Sequence, residues 1–275
     1  MRNAAAPQLP VLAHGTTDAA ERQLRIFALG RLRVETADGS ISDDWLDQRP
    51  GQLLRYLVCA RAASADAIAE AICPNAPATA PGNVRYFVHT LRTRLEPRRP
   101  KHGDSSFLVS RCGGYSLDPQ RVWIDVDDFE RDAAAGLSAF AHGDRCAAAE
   151  LLERAIALYR DDFLADDPYA VWALTERERL RALACEALRA LAALRTSDPV
   201  EASSYLERLA ELEPFDSEVQ RDLICTWLRL GRKTRALRHY QSFRVRLLRE
   251  FGEQPDFELV DLVNQRRFVG AAASR

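Results

Sequence analysis

Between residues 84 and 95 the sequence concentrates side chains that can hydrogen-bond nucleic acid. On a helical wheel, apolar residues occupy one face within a sector of roughly 100°. That apolar face comprises Val84, Phe87, Val88, Leu91 and Leu95, and the other side carries Arg85, Tyr86, His89, Thr90, Arg92 and Thr93. Two guanidinium groups, three hydroxyl groups and an imidazole suit base edges and phosphates. The pattern predicts a DNA-reading helix; the alternative is a helix whose polar face is only solvated.

A predicted hairpin follows this helix. Residues 107–110 and 115–117 have strand composition, and the glycine turn between them carries Arg111 beside Cys112. We expect Arg92 and Arg94, near the two edges of the polar sector, to contact phosphates, and Arg111 to contact phosphate or a minor groove. Cys112 has two interpretations, an incidental small residue or a thiol whose oxidation tunes DNA binding.

The elements before the reading helix complete a recognisable order. Residues 24–34 are predicted to form two short strands that turn at Gly30, and residues 50–62 a helix that starts at Pro50. Ser64 is a suitable N-cap for a short second helix. Helix, helix, reading helix and hairpin is the order of a winged helix, which lays its reader in the major groove. Residues 24–117 are therefore predicted to be a winged-helix DNA-binding domain.

The second half of the sequence is helical and rich in alanine. Ala202 and Leu206 recur as Ala236 and Tyr240 at an offset of 34 residues, the tetratricopeptide period. Helices are predicted over residues 127–135, 146–160, 172–194, 199–212, 218–230, 233–251 and 256–263. Stacked helix pairs leave a groove that suits another protein, so residues 118–270 are predicted to be an all-α partner-binding domain. The predicted fold class is mainly α with a small β part.

Charge divides the chain in the same way. Residues 24–117 carry 13 basic and 9 acidic side chains, a net charge of +4, whereas residues 118–275 carry 23 and 29, a net charge of −6. Residues 76–117 alone carry seven basic side chains against Glu96 and Asp104. The first half can approach a polyanion and the second is repelled by one, which favours DNA contact in the first and protein contact in the second.

Several functional classes find no support in the sequence. There is no glycine-rich phosphate loop, no H-E-x-x-H or G-x-S-x-G motif, and none of the six cysteines forms a C-x-x-C pair or has zinc-finger spacing to a histidine. Neither an enzyme nor a metal or other cofactor is therefore expected. No run of eighteen apolar residues predicts a membrane span. Residues 1–23 lack the apolar segment of a signal peptide and are predicted to be a flexible leader.

The end of the helical half carries a dense set of spaced motif residues. They are Gly231, Arg232, Ala236, Leu237, Tyr240, Arg244, Leu247, Glu250, Phe251, Gly252 and Pro255. Together with the junction at 213–218, the Asp-Phe-Glu at 128–130 and the glycine turn at 113–117, they resemble the Streptomyces antibiotic regulatory protein family. Its members join an OmpR-type winged helix to a bacterial transcriptional activator domain. The resemblance covers residues 24–268. Relatives often carry Ser-Arg where this chain has His89-Thr90, so its base preference is expected to differ.

This resemblance implies a cytoplasmic, nucleoid-associated activator. Such proteins bind direct repeats in double-stranded DNA near promoters, as a homodimer or as tandem protomers, and contact RNA polymerase holoenzyme through the helical domain. The residues themselves do not distinguish activation from repression. The alternative is an adaptor in which the tetratricopeptide-like domain binds proteins and the winged helix does not bind DNA.

Overall fold

The computed structural model describes residues 23–36, 39–40, 44–73, 80–99, 105–111 and 113–263. Cys112, the end of the predicted helical domain at 264–270 and all but the last residue of the predicted leader lie outside the described residues.

The described chain begins with short strands and ends with long helices. The strands are β1 Leu24–Phe27, β2 Arg33–Thr36, β3 Gly39–Ser40, β4 Ala62–Ser64, β5 Leu108–Arg111, β6 Gly114–Leu117 and β7 Val122–Ile124. The helices are α1 Arg49–Ala60, α2 Ala65–Ile72, α3 Ala80–Leu95, α4 Asp125–Ala141, α5 Arg145–Leu158, α6 Leu174–Leu194, α7 Pro199–Leu212, α8 Ser217–Arg229 and α9 Lys233–Phe251. This is the predicted fold class, an OmpR-type winged helix followed by an all-α, tetratricopeptide-like region.

Two small sheets frame the first three helices. In the first sheet, with strand order β3-β2-β1-β7, β1 pairs antiparallel with β2 and parallel with β7. In the second sheet β6 lies between β4 and β5. The hairpin of β5 and β6 and the turn between β1 and β2 were predicted. β3, β4 and β7 were not, because segments of two or three residues are too short to show a period. The predicted helix over 50–62 was wrong at its end, since α1 ends at residue 60 and residue 62 begins β4.

The helix boundaries follow from local capping chemistry. Ser64 caps α2 by accepting a hydrogen bond from the Ala67 amide at 3.1 Å, as predicted. Asp198 and Asp216 cap α7 and α8 in the same way, and Gly252 ends α9 in the left-handed conformation at φ 74°. The predicted bounds of α7 and α9 are confirmed, whereas α4 is longer than predicted at both ends. The last predicted helix is helical only from residue 259 among the described residues.

The helices of the second half pack in chain order, from α4 on α5 through to α8 on α9. Close approach of α4 and α5 requires a glycine, because a Cβ at Gly136 would lie 2.7 Å from the Leu152 side chain. None of the described helices is both long and apolar enough to cross a membrane.

A buried carboxylate joins the helical half to the first sheet. Asp125, the first residue of α4, is 0% exposed and accepts hydrogen bonds from the backbone amides of Ala28 at 2.8 Å and Leu29 at 3.1 Å. The Arg160 guanidinium lies 3.8 Å from the same carboxylate. These contacts give two buried backbone donors, just after β1, the partners they need.

A second buried ion pair joins the same halves through α1. Arg55 is 2% exposed and contacts the Leu46 carbonyl and the Asp166 carboxylate. Asp166 also accepts a hydrogen bond from the Leu32 amide at 3.1 Å. β7, Asp125 and Asp166 all lie after the domain boundary predicted between residues 117 and 118, although their partners lie before it. That boundary stays a prediction, and a fragment cut there would lose Asp166, the nearer of the two carboxylates that pair with Arg55; only Asp47, at 3.6 Å, would remain.

Burial raises the pKa of Asp125 to about 6, although the two amide donors and Arg160 oppose this shift. The unfolded pKa is about 3.9, so between these values the folded chain keeps a proton that the unfolded chain has lost. The contribution of Asp125 to stability is therefore present below pH 4 and is lost as the pH rises through 6.

We expect the wild-type free energy of unfolding, relative to that of Asp125→Asn, to fall by up to about 3 kcal/mol between pH 4 and pH 7, because the amide cannot ionise. Urea titrations at several pH values measure this difference. Asp144→Asn, which changes the exposed N-cap of α5 to an equally good one, is the matched control. If the free energies of unfolding of wild type and Asp125→Asn depended on pH in the same way, the raised pKa of Asp125 would be contradicted.

Candidate nucleic-acid interface

α3 presents one buried and one exposed face, divided as the sequence predicts. Four of the five predicted core residues, Val84, Val88, Leu91 and Leu95, are buried, and Phe87 is half-buried. Arg85, Tyr86, His89, Thr93 and Arg94 are exposed, with Tyr86 at 65%. Thr90 and Arg92 are half-buried. The helix packs on α1 and α2, so its polar face is held on the outside of a three-helix core.

The two threonines on this face already use their hydroxyl protons. Thr90 Oγ1 donates to the Tyr86 carbonyl at 2.9 Å, and Thr93 Oγ1 donates to the His89 carbonyl at 3.0 Å. In this state each hydroxyl oxygen can only accept a hydrogen bond, for example from an adenine or cytosine amino group. The Tyr86 ring packs edge-on against Phe87 with centroids 6.0 Å apart, which restrains the ring beside the threonines.

Arg92 links α3 to the hairpin. Its Nε and Nη2 donate to the Leu108 carbonyl at 3.2 and 3.0 Å, and Nη2 also donates to Ser110 Oγ at 2.8 Å. Nη1 has no hydrogen-bond partner among the described residues. The sequence placed Arg92 at the edge of the polar sector as a phosphate contact. That role stays a prediction, and the geometry adds a positioning role that the helical wheel could not indicate.

Glu96 fixes the entry to the hairpin from the end of α3. Its carboxylate accepts hydrogen bonds from the Ser105 hydroxyl and, at 2.8 Å, from the Ser106 amide. The Ser105 hydroxyl oxygen in turn accepts from the Leu108 amide at 3.1 Å. Glu96 is one of only two acidic side chains in residues 76–117. Its carboxylate is hydrogen-bonded to the residues just before β5, so it is not free to repel a polyanion.

The hairpin turn depends on its glycines. Gly113 has φ 78°, a conformation that other residues adopt at a cost. A Cβ at Gly114 would lie 2.5 Å from the Ala63 carbonyl, so β4 can approach β6 only because this residue is glycine. Arg111 is the last residue of β5 and pairs with Gly114. Its backbone therefore lies at the tip of the hairpin, next to the turn, as predicted.

The helical half offers a different kind of surface. It exposes large apolar side chains, namely Phe140, Tyr169, Val171, Leu174, Val200, Phe215, Leu237, Val245, Leu248, Phe251 and Val260. Among the described residues no group of His, Cys, Asp and Glu side chains could hold a metal ion. Exposed apolar groups beside charged ones are typical of protein-binding surfaces.

Known proteins resemble the chain along nearly its whole length. It is 29% identical over 251 residues to the regulatory protein AfsR of Streptomyces griseus and 29% identical over 252 residues to AfsR of Streptomyces coelicolor. Both matches cover 90% of this chain, which spans 25% and 24% of the length of these two relatives.

The fold also occurs in a solved structure. EmbR of Mycobacterium tuberculosis, solved in complex with a low-affinity phosphopeptide, matches with a TM-score of 0.59 and 21% identity. The match covers 89% of this chain and 65% of EmbR.

A family model connects the helical half to transcription. The model of the bacterial transcriptional activator domain matches residues 124–265, which begin with the last residue of β7 and include the buried Asp125. With the winged helix before it and the AfsR relatives, this match settles the family. The chain belongs to the bacterial transcriptional activator domain family, and over nearly its whole length it is similar to the AfsR regulatory proteins.

Proposed function

We propose that the chain is a sequence-specific, non-enzymatic activator that reads the major groove of double-stranded DNA with the exposed face of α3. The observation that carries this proposal is the exposed polar face of α3, held beside a hairpin by Arg92. A helix of this kind, with a wing next to it, has the geometry of winged-helix DNA readers. Arg85, Tyr86, His89, Thr90 and Thr93 read base edges, and Arg92, Arg94 and Arg111 contact the backbone.

The helical half then contacts RNA polymerase holoenzyme while tandem protomers occupy direct repeats near a promoter. Its net negative charge and its exposed apolar side chains suit a protein partner better than phosphate. A regulator of this kind acts on the chromosome, in the cytoplasm.

The test of this proposal uses the full chain, because β7, Asp125 and Asp166 support the winged helix. Genomic fragments retained by the purified protein are sequenced, and a fragment carrying the enriched site is used for gel shift and in vitro transcription with RNA polymerase holoenzyme. We expect an enriched direct repeat and stimulated transcription from it. Retention without sequence enrichment, or no retention, would favour the adaptor.

Base preference is expected to depend on His89 and Thr90. His89→Ala and Thr90→Ala each remove a side chain directed at base edges, which costs about 1–3 kcal/mol on the preferred site and less on others. Binding-site selection measures the change as an altered sequence logo. Val200→Ala, an exposed change on α7, is the control and should leave the logo unaltered. Unaltered logos for both α3 variants would remove these residues from the reading surface.

Arg92 and Arg94 are expected to behave differently although both are arginines of the last turn of α3. Arg94→Ala should weaken binding to all sequences and lower the salt slope by about one unit, because one phosphate contact is lost, with thermal stability unchanged. Arg92→Ala should also lower thermal stability, since the Leu108 carbonyl and Ser110 lose their donor.

Salt titrations of DNA affinity and thermal melts of both variants separate the two roles. An Arg92→Ala variant as stable as wild type would show that the contact between α3 and the hairpin does not position the wing. A wild-type salt slope for Arg94→Ala would show that Arg94 does not touch the backbone.

A further inference from the structure

The last long helix is strongly basic within an acidic half of the chain. Residues 232–249 carry seven basic side chains and no acidic one, whereas the rest of residues 118–275 carries 29 acidic and 16 basic. Arg235 pairs with Glu207 at 2.9 Å. The cations that are exposed and form no ion pair with any described residue include Lys233, Arg238, Arg244 and Arg246. Such a concentration of unpaired like charge favours an anionic partner.

Apolar side chains lie among these cations. At 100° per residue, Lys233, Leu237, Arg244 and Leu248 fall within a sector of roughly 60°; this set is called the α9 face. Leu237 is 43% and Leu248 50% exposed, whereas the side of the helix that packs on α8 is buried. Leucine adds nothing to a contact with phosphates, so this mixture of cations and leucines fits a protein surface better than DNA.

A complementary surface lies at the start of α6. Residues 161–178 carry six acidic side chains and one basic one. Within this segment Arg177 donates to the carbonyls of Phe163, Asp167 and Pro168 at 2.9–3.3 Å, which holds the loop against the first turns of α6. The resulting acidic loop face comprises Asp167, Tyr169, Val171, Leu174 and Glu178.

The acidic loop face is also apolar and unpaired. Tyr169 is 91%, Val171 77% and Leu174 42% exposed. The carboxylates of Asp167 and Glu178 form no ion pair within the described part of the chain. The α9 face and the acidic loop face therefore carry opposite charges, and both expose apolar groups; a docking surface combines these two features.

We propose that the α9 face of one copy of this chain docks on the acidic loop face of a second copy, head to tail. The two faces belong to opposite ends of the helical stack. α9 packs on α8, and Phe163, next to the acidic loop face, bridges to Leu29 and Gly30 of the winged helix. This inference rests on the proposed pairing of protomers on DNA, and it names the two surfaces through which the protomers would contact each other.

Other occupants of the α9 face fit less well. A second α9 in a two-fold arrangement would oppose like charges. Residues 264–275 carry three arginines and no acidic side chain, so their charge also disfavours them. A head-to-tail contact relates neighbours by the same step each time, which is the relation between direct repeats; a two-fold contact matches inverted repeats.

Charge exchange between the two faces tests the proposal on the full chain, without DNA. Sedimentation velocity at low salt measures self-association of wild type, of Lys233→Glu/Arg244→Glu and of Asp167→Lys/Glu178→Lys. Each double variant alone should associate more weakly by at least about tenfold, because like charges then face each other. An equimolar mixture of the two should associate again, since each reversed face meets an opposite charge on the other variant.

The leucines provide a test that leaves charge unchanged. Leu237→Gln/Leu248→Gln should weaken association, whereas Val200→Gln, an equally exposed change on α7, should not. Circular dichroism verifies folding of every variant. A monomeric wild type at every concentration, double variants that associate like wild type, or a mixture that stays monomeric would each overturn the proposal. Gel shift of wild type is read separately, so loss of DNA binding with intact association counts against the proposed function alone.

Discussion

The carboxylate of Asp125 is the constraint on which the arrangement of the two halves depends. It is the first residue of α4, yet its hydrogen bonds go to backbone amides that follow β1. Removing a carboxylate from water is costly, and three features offset part of that cost: two amide donors, the nearby Arg160 and the favourable end of the α4 dipole. Because β7 precedes Asp125 directly and pairs with β1, the helical region starts inside the sheet of the winged helix.

The contact between Asp125 and the first sheet is one of several interactions that position α3 and the hairpin. Asp166 of the helical half holds Arg55 of α1, and α1 packs on α3. Arg92 of α3 then holds the hairpin through the Leu108 carbonyl. Each step uses a buried or half-buried polar group, and removing one partner leaves the other unsatisfied at a cost of about 1–3 kcal/mol or more. The helical half, α3 and the hairpin are therefore connected by interactions with little tolerance for rearrangement.

How much the sequence could predict depended on the range of the interaction. The apolar stripe of α3 and the Ser64 cap are local, and both were found from spacing alone. β7 has three residues, all buried, so no alternation marks it as a strand. Asp125 and Asp166 lie in aspartate-rich segments where solvent exposure is the usual expectation, and their partners are 97 and 111 residues away. The positioning role of Arg92 could not be predicted either, because it depends on where β5, which begins 16 residues later, lies in space.

Net charge was the least informative sequence quantity for the helical half. A total of −6 predicted a half that a polyanion repels, but this total is the sum of a basic α9 and a more strongly acidic remainder. Exposed charges interact over about 8–10 Å at physiological ionic strength, so a neighbour responds to the local face and not to the total. The basic α9 face lies at one end of the helical stack, and the acidic loop face lies near the winged helix. The two ends of the chain therefore differ in charge. Copies joined through these faces would all point the same way along a duplex, and their spacing would be set by the stack as well as by the helical repeat of DNA.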